Sequence, residues 1–326
     1  MSLIVSNLTK KYGEKTVVDH LSFAMEKPGV YALLGTNGAG KTTSIRMMLG
    51  MLAKDEGEAL WDGKALNPAT CNVGYLAEER GLYPKYTLMD QLIYFAALRG
   101  IPAAEARKRI LYWAERLEVE EYLYPDAAKP AEDEDDGENG KKTKQRGRGK
   151  KAKPKLADQL SKGNQQKIQL MIALLPDPEL LILDEPLSGL DPVNTDLFKS
   201  VIQEEIDKGK YLIMSSHQMA TVEEFCTDLT ILHRSHAVLQ GNLNEIKKSY
   251  GRVNLYLKTE QEIDGYIKAL GIQVKSKKEQ EYRLRVTGEA QANELLGTLI
   301  ANHVTIVVFE LREPSLHEIF VSHVEE

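Results

Sequence analysis

One stretch, Gly35-Thr36-Asn37-Gly38-Ala39-Gly40-Lys41-Thr42, limits what this chain can fold into more than any other. It fits the pattern G-x-x-x-x-G-K-S/T. The continuous apolar run Val30 to Leu34 precedes it and suits a strand buried on both faces. Thr42 to Leu52 follows and reads as a helix. Strand, Gly-rich loop and helix in that order make an anion cradle. Glycines let backbone N–H groups turn inward around phosphate oxygens, and the helix presents its positive end to the same anion. Lys41 is then placed to reach the β- and γ-phosphates, and the Thr42 hydroxyl to take Mg²⁺. Without those flanks the same residues would be an ordinary glycine turn.

A second apolar strand, Leu180 to Leu183, ends in the carboxylates Asp184 and Glu185. Ligands bind at the carboxyl ends of parallel strands in open α/β sheets. Asp184 is thus expected to orient Mg²⁺ and Glu185 to polarise an attacking water. Residues 211–216 and 229–233 read as further strands, and 87–117 and 165–175 as helices. Thr87 to Asp90 resembles a capping box, and Gly100 and Pro102 divide the helical stretch 88–99 from 104–117. Near the N-terminus, 3–10 and 16–25 read as short strands around the turn Tyr12-Gly13-Glu14. Strands alternating with helices predict an α/β core with a largely parallel sheet.

Leu160-Ser161-Lys162-Gly163-Asn164-Gln165-Gln166-Lys167, shortly before the Asp184 strand, resembles the signature motif of ABC ATPases. Ser188-Gly189-Leu190-Asp191 resembles their D-loop, His217 their switch histidine, and Tyr12 the aromatic residue that stacks on adenine. A lone His after a strand or a lone Tyr near a turn would be read as structural; the ordered set changes that reading. The set covers residues 1 to about 235. The resemblance implies a P-loop ATPase domain with an antiparallel β edge and a helical subdomain. It implies a head-to-tail dimer with two ATP molecules at the interface. One subunit supplies Tyr12, the loop Gly35, Thr36, Asn37, Gly38, Ala39, Gly40, Lys41, Thr42 and Thr43, with Glu185 as general base and His217 on the γ-phosphate. Its partner supplies Ser161 and Gly163, and Asp191 links the two sites. Metal ligands would be Thr42, Asp184 and Glu78. Lys162 and Asn164 depart from the usual L-S-G-G-Q, and Glu78 stands where the family has Gln after Val73-Gly74-Tyr75-Leu76. Glu78 to Pro84 and the LSKGNQQK form are similar to the NatA-type branch, which serves ABC-2-type exporters. That branch implies ATP-driven transport, in the export direction, through a separate polytopic permease docked around Glu78 to Tyr94. The chain would work as a homodimer, or paired with a second ABC subunit, on the cytoplasmic face of the cell membrane.

Residues 252–326 read as βαββαβ, the order of a ferredoxin-like unit, closed by a helix over 315–324. The domain division is therefore 1–240 and 252–326. Between Lys129 and Pro154 there are almost no large apolar side chains, and an acidic run, Glu132 to Asp136, precedes a basic one, Lys141 to Lys155. That composition predicts a disordered insertion over 126–155. A solvated loop is its plainest role; a tether through the basic half to anionic lipid headgroups or to a regulatory partner is the other. The net charge of −6 argues against a chain that coats nucleic acid. Two isolated cysteines, Cys71 and Cys226, suggest neither a disulfide framework nor a zinc site. No run of about 18 apolar residues occurs. A soluble ABC ATPase acting on the ribosome would want two cassettes, and one acting on DNA a long coiled coil; neither feature is present. No N-K-x-D motif supports a GTPase.

Overall fold

A computed structural model describes residues 1–79, 81–123 and 155–324. The charged segment expected to be disordered lies, but for Lys155, outside the described residues. The elements in chain order begin with β1 (Leu3–Tyr12), β2 (Lys15–Met25), β3 (Gly29–Gly35), α1 (Lys41–Met48), β4 (Glu56–Trp61), β5 (Lys64–Ala65) and β6 (Val73–Leu76). Next come α2 (Leu88–Leu98), α3 (Ala103–Arg116) and α4 (Glu120–Leu123), a single 3-10 turn at Ala157–Gln159, and α5 (Lys162–Leu174). Then follow β7 (Leu180–Asp184), α6 (Pro192–Asp207), β8 (Tyr211–Ser216), α7 (Met219–Val222), β9 (Asp228–His233), β10 (His236–Asn242) and α8 (Leu243–Tyr250). The chain ends with β11 (Asn254–Thr259), α9 (Asp264–Ala269), β12 (Gln273–Lys278), β13 (Glu281–Arg285), α10 (Glu289–Ala301), β14 (Ile306–Arg312) and α11 (Leu316–Val324).

The central sheet has the order β10-β9-β3-β8-β7-β6 and is parallel except for β10 at its edge. Every residue of β3 is buried, and so is every residue of β7 and β8. Alternation then sends successive side chains to opposite faces. Val30, Ala32 and Leu34 join the core shared with α2, α3, α5 and α6. Tyr31 and Leu33 join the core under α1 and the antiparallel sheet β2-β1-β4-β5. The body is thus a three-layer sandwich with β3 at its centre, and the apolar runs of the sequence are those with a core on each side.

The tail sheet is antiparallel with the order β12-β13-β11-β14. With α9 and α10 on one face, this is the ferredoxin-like arrangement expected from the βαββαβ order. Its own core holds Leu255, Leu257, Tyr282, Leu284, Leu295 and Leu299. The closing helix behaves differently. Leu316, Ile319 and Phe320 of α11 pack into the helical-layer core beside Met219 and Val222, so the last helix fastens the tail to the body built around β3.

Candidate functional site

The loop after β3 takes its shape from three left-handed glycines. Gly35, Gly38 and Gly40 have φ of 150°, 78° and 106°. A Cβ on Gly40 would stand 2.6 Å from the Val17 carbonyl oxygen, and one on Gly35 2.3 Å from that of Leu232. Only glycine fits at either place. Gly40 is also the N-cap of α1 and has no side chain to bond the first-turn N–H groups, which leaves them for an anion.

Lys41 opens α1 and is buried. Its Nζ donates to the carbonyls of Gly35 at 2.9 Å and Thr36 at 3.2 Å, and lies 3.2 Å from Glu185 Oε1. Thr42 Oγ1 donates to Asp184 Oδ1 at 3.2 Å and reaches Glu78 Oε2 at 3.5 Å. Asp184 is 0% exposed. Its Oδ1 also accepts from Ser215 Oγ at 2.5 Å, while Oδ2 is buried without a partner. Burial raises the Asp184 carboxyl above its ordinary value, against the hydrogen bonds from Ser215 and Thr42, and the charges of Glu78 and Glu185 add to the rise. Burial, and then the Asp184 charge, also pushes the neighbouring Tyr75 hydroxyl up to about 12.

Glu185 has φ +49°, a left-handed backbone that costs a non-glycine residue on the order of 1 kcal/mol. Ser215 fixes it there, since its Oγ accepts from the Glu185 N–H at 2.9 Å while donating to Asp184. The turn aims Glu185 between two partners, Lys41 on one oxygen and His217 Nδ1 at 2.8 Å on the other. Lys41, Thr42, Thr43, Asn37, Gly38 and Gly40 line a cavity of about 240 Å³ with Val17, Glu78 and Glu185. Gly35, Thr36 and Ala39 do not line it; the Gly35 and Thr36 carbonyls hold Lys41 instead.

The structure therefore brings Lys41, Thr42, Glu78, Asp184, Glu185 and His217 together. Tyr12, at the β1–β2 turn, is exposed with the Lys10 ammonium 5.3 Å over its ring and does not line the cavity. Ser161 and Gly163 begin α5, where Ser161 Oγ accepts from Asn164 N at 3.3 Å. Asp191 caps α6 by accepting from Asn194 N at 3.0 Å, which holds its carboxyl below the usual range. These three residues also stand apart from the cavity lining. Ser215 and Val17 were missed in the sequence. The serines closing the run YLIMSS were the only signal for Ser215. A larger cavity, about 740 Å³ against the outer face of the tail sheet, contains no residue of this site.

Among the described residues no three His, Cys, Asp or Glu side chains form a metal cage. Mg²⁺ asks for less: it binds through one or two carboxylates plus substrate phosphates. The hydroxyl of Thr42, the carboxylate of Glu78 and the partnerless buried Oδ2 of Asp184 are hard oxygen donors, and they fit it.

Residues 18–188 match the family described as ABC transporter, and residues 241–324 match the C-terminal domain of ATP-binding proteins of the DrrA1-3 type. The chain is 39% identical over 323 residues to an uncharacterized ABC transporter ATP-binding protein, YhaQ, of Bacillus subtilis, covering 99% of this chain and 98% of that one. It is 31% identical over 248 residues to the Nod factor export ATP-binding protein I of Ralstonia nicotianae, covering 75% of this chain and 68% of that protein. It is also similar to a solved ATP-binding subunit of an ABC transporter, with a TM-score of 0.63 and 27% identity over 77% of this chain and 93% of the other.

Proposed function

Since the chain belongs to the ATP-binding subunits of ABC transporters, which hydrolyse ATP to power transport, we propose that it does so as a Mg²⁺-dependent dimer bound to a separate permease. The observation that carries this reading is that Lys41, Thr42 and Glu185 line one cavity, with Asp184 bonded to Thr42 and His217 to Glu185 behind them. The loop N–H groups and Lys41 bind the β- and γ-phosphates. Thr42, Glu78 and Asp184 hold Mg²⁺, whose chemistry there is to neutralise charge on the phosphate oxygens. A phosphate that takes Lys41 releases one oxygen of Glu185. Glu185 then accepts the proton of the attacking water, with His217 holding the other oxygen and contacting the γ-phosphate.

Ser161 and Gly163 of one subunit complete the site of the other, and Asp191 links the two. Tyr12 stacks on adenine. Residues 1–240 act as the ATPase and 252–326 as a smaller unit attached to it. The permease docks around Glu78 to Tyr94. The cluster of Tyr83, Tyr86 and Tyr94, three exposed aromatic side chains around a cavity of about 440 Å³, supports that placement. Exposed aromatic patches of this kind mark interaction sites. No described helix is long and apolar enough to cross a membrane, so a membrane partner supplies the path. The chain then works at the cytoplasmic face, and the name of the Ralstonia relative favours export.

The test is to tag the Glu185→Gln chain, extract native membranes in mild detergent with Mg-ATP, and identify what co-purifies. A polytopic membrane protein without its own nucleotide domain supports the reading. Ribosomes or DNA without such a protein would overturn its transport half.

A further inference from the structure

Helix α5 is capped by Ser161 and carries Gln166 and Gln169 three residues apart, on one side of the helix. Gln166 Nε2 donates to the carbonyl of Pro186, next to Glu185. Gln169 Nε2 donates to the carbonyl of Glu79, next to Glu78, at 3.2 Å. Gln169 is buried between Ile168 and Leu170, both fully buried apolar residues. A buried amide is costly unless it is bonded, so an apolar side chain would serve packing better at this position. The Glu79 carboxylate gives the loop little hold: it is largely exposed, with Arg46 at 3.6 Å. Glu78 meets Thr42 at 3.5 Å, the outer limit of a hydrogen bond, so a few tenths of an ångström of backbone movement decides whether it does.

We infer that Gln169 is a positioning residue for the metal side of the ATP site. It holds the Glu79 carbonyl so that the Glu78 carboxylate meets the Thr42 hydroxyl, which also donates to Asp184. Together with Gln166 it makes α5 one rigid bar, with Ser161 at its end and grips on the loops that carry Glu78 and Glu185. A shift of the helical layer at α5 then moves both carboxylates together. This inference deepens the Mg-ATP reading above and rests on it.

Gln169→Leu keeps the volume and removes the donor. ATP hydrolysis by the purified full-length chain is followed through a Mg²⁺ titration at saturating ATP, with fluorescent ATP-analogue binding in EDTA as the parallel measurement. The Mg²⁺ concentration for half-activation should rise about fivefold, the equivalent of one hydrogen bond of ordinary net worth. Analogue binding in EDTA should not change. Gln169→Glu, which cannot donate to a carbonyl, should give the same shift and serves if the Leu variant folds poorly. In a Glu78→Ala background neither substitution should shift Mg²⁺ half-activation further. Unaltered Mg²⁺ half-activation in both variants would overturn the inference, as would an equal loss of turnover with and without Glu78. A wild-type chain that binds no ATP analogue would instead overturn the underlying reading and this inference with it.

Discussion

Consider Asp184→Asn in a chain stripped of nucleotide and divalent metal. The substitution keeps the shape and an oxygen for Ser215 and Thr42, and removes a charge whose second oxygen is buried without a partner. Leaving such a group unpaired costs about 1–3 kcal/mol. Removing the charge should therefore raise Tm by about 2–12 °C at pH 7.5, at the usual 2–4 °C per kcal/mol for a chain of this order of size. The pH dependence follows from the direction of the shift. Burial raises the Asp184 carboxyl, so the folded state favours its protonated form. The group's contribution is fully present below the ordinary carboxylate value of about 3.9 and is lost as pH rises through the raised folded value. The gap between variant and wild type should thus narrow as pH falls, and thermal melts from pH 4 to 8 in EDTA measure it. Adding Mg-ATP reverses the order. At a hundred times Kd, ligand stabilises the wild type by about 2.7 kcal/mol, and the variant by much less. A variant that melts at or below the wild type in EDTA at pH 7.5, or a gap that widens with acid, would refute this account of Asp184.

Three other perturbations probe separate parts of the molecule. Gly40→Ala puts a methyl 2.6 Å from the Val17 carbonyl at φ 106°, and should weaken ATP binding about fivefold or more through 1–3 kcal/mol of strain; unchanged affinity by titration calorimetry would count against it. Phe198→Ala hollows a fully buried site on α6, and should cost about 3–5 kcal/mol in urea unfolding at constant slope. Tyr86→Glu alters a side chain that is 62% exposed, so stability should move by no more than about 0.5 kcal/mol while the permease no longer co-purifies with the tagged chain.

The elements with a core on both faces were the most legible in the sequence. Val30 to Leu34 and Leu180 to Leu183 are uniform apolar runs because both faces are covered, and the structure places them at the middle of the sheet. The 88–99 and 104–117 periodicities became α2 and α3, with Gly100 at φ +74° dividing them. The first helix of the tail is short, Asp264–Ala269, because Thr259 Oγ1 donates to the Gln261 carbonyl and holds the chain in a turn before it. Strands β4, β5 and β10 gave no usable pattern, since each lies at or near a sheet edge with much of its length exposed. Within the site, residue types at fixed spacing were readable. Contacts between distant strands were not: Ser215 holding Asp184, Lys41 against Glu185 and Gln169 gripping Glu79 all join segments brought together only by the sheet and helix packing.

Glu185, held between Lys41 and His217, is the proposed base for ATP hydrolysis at this phosphate loop. Turnover of Mg-ATP by the purified chain and its Glu185→Gln variant, with nucleotide binding measured alongside, tests it most directly. The account predicts a fall of about 10² or more in turnover, as for loss of a general base, with ATP still bound. Undiminished turnover in the variant would contradict it and place the base elsewhere.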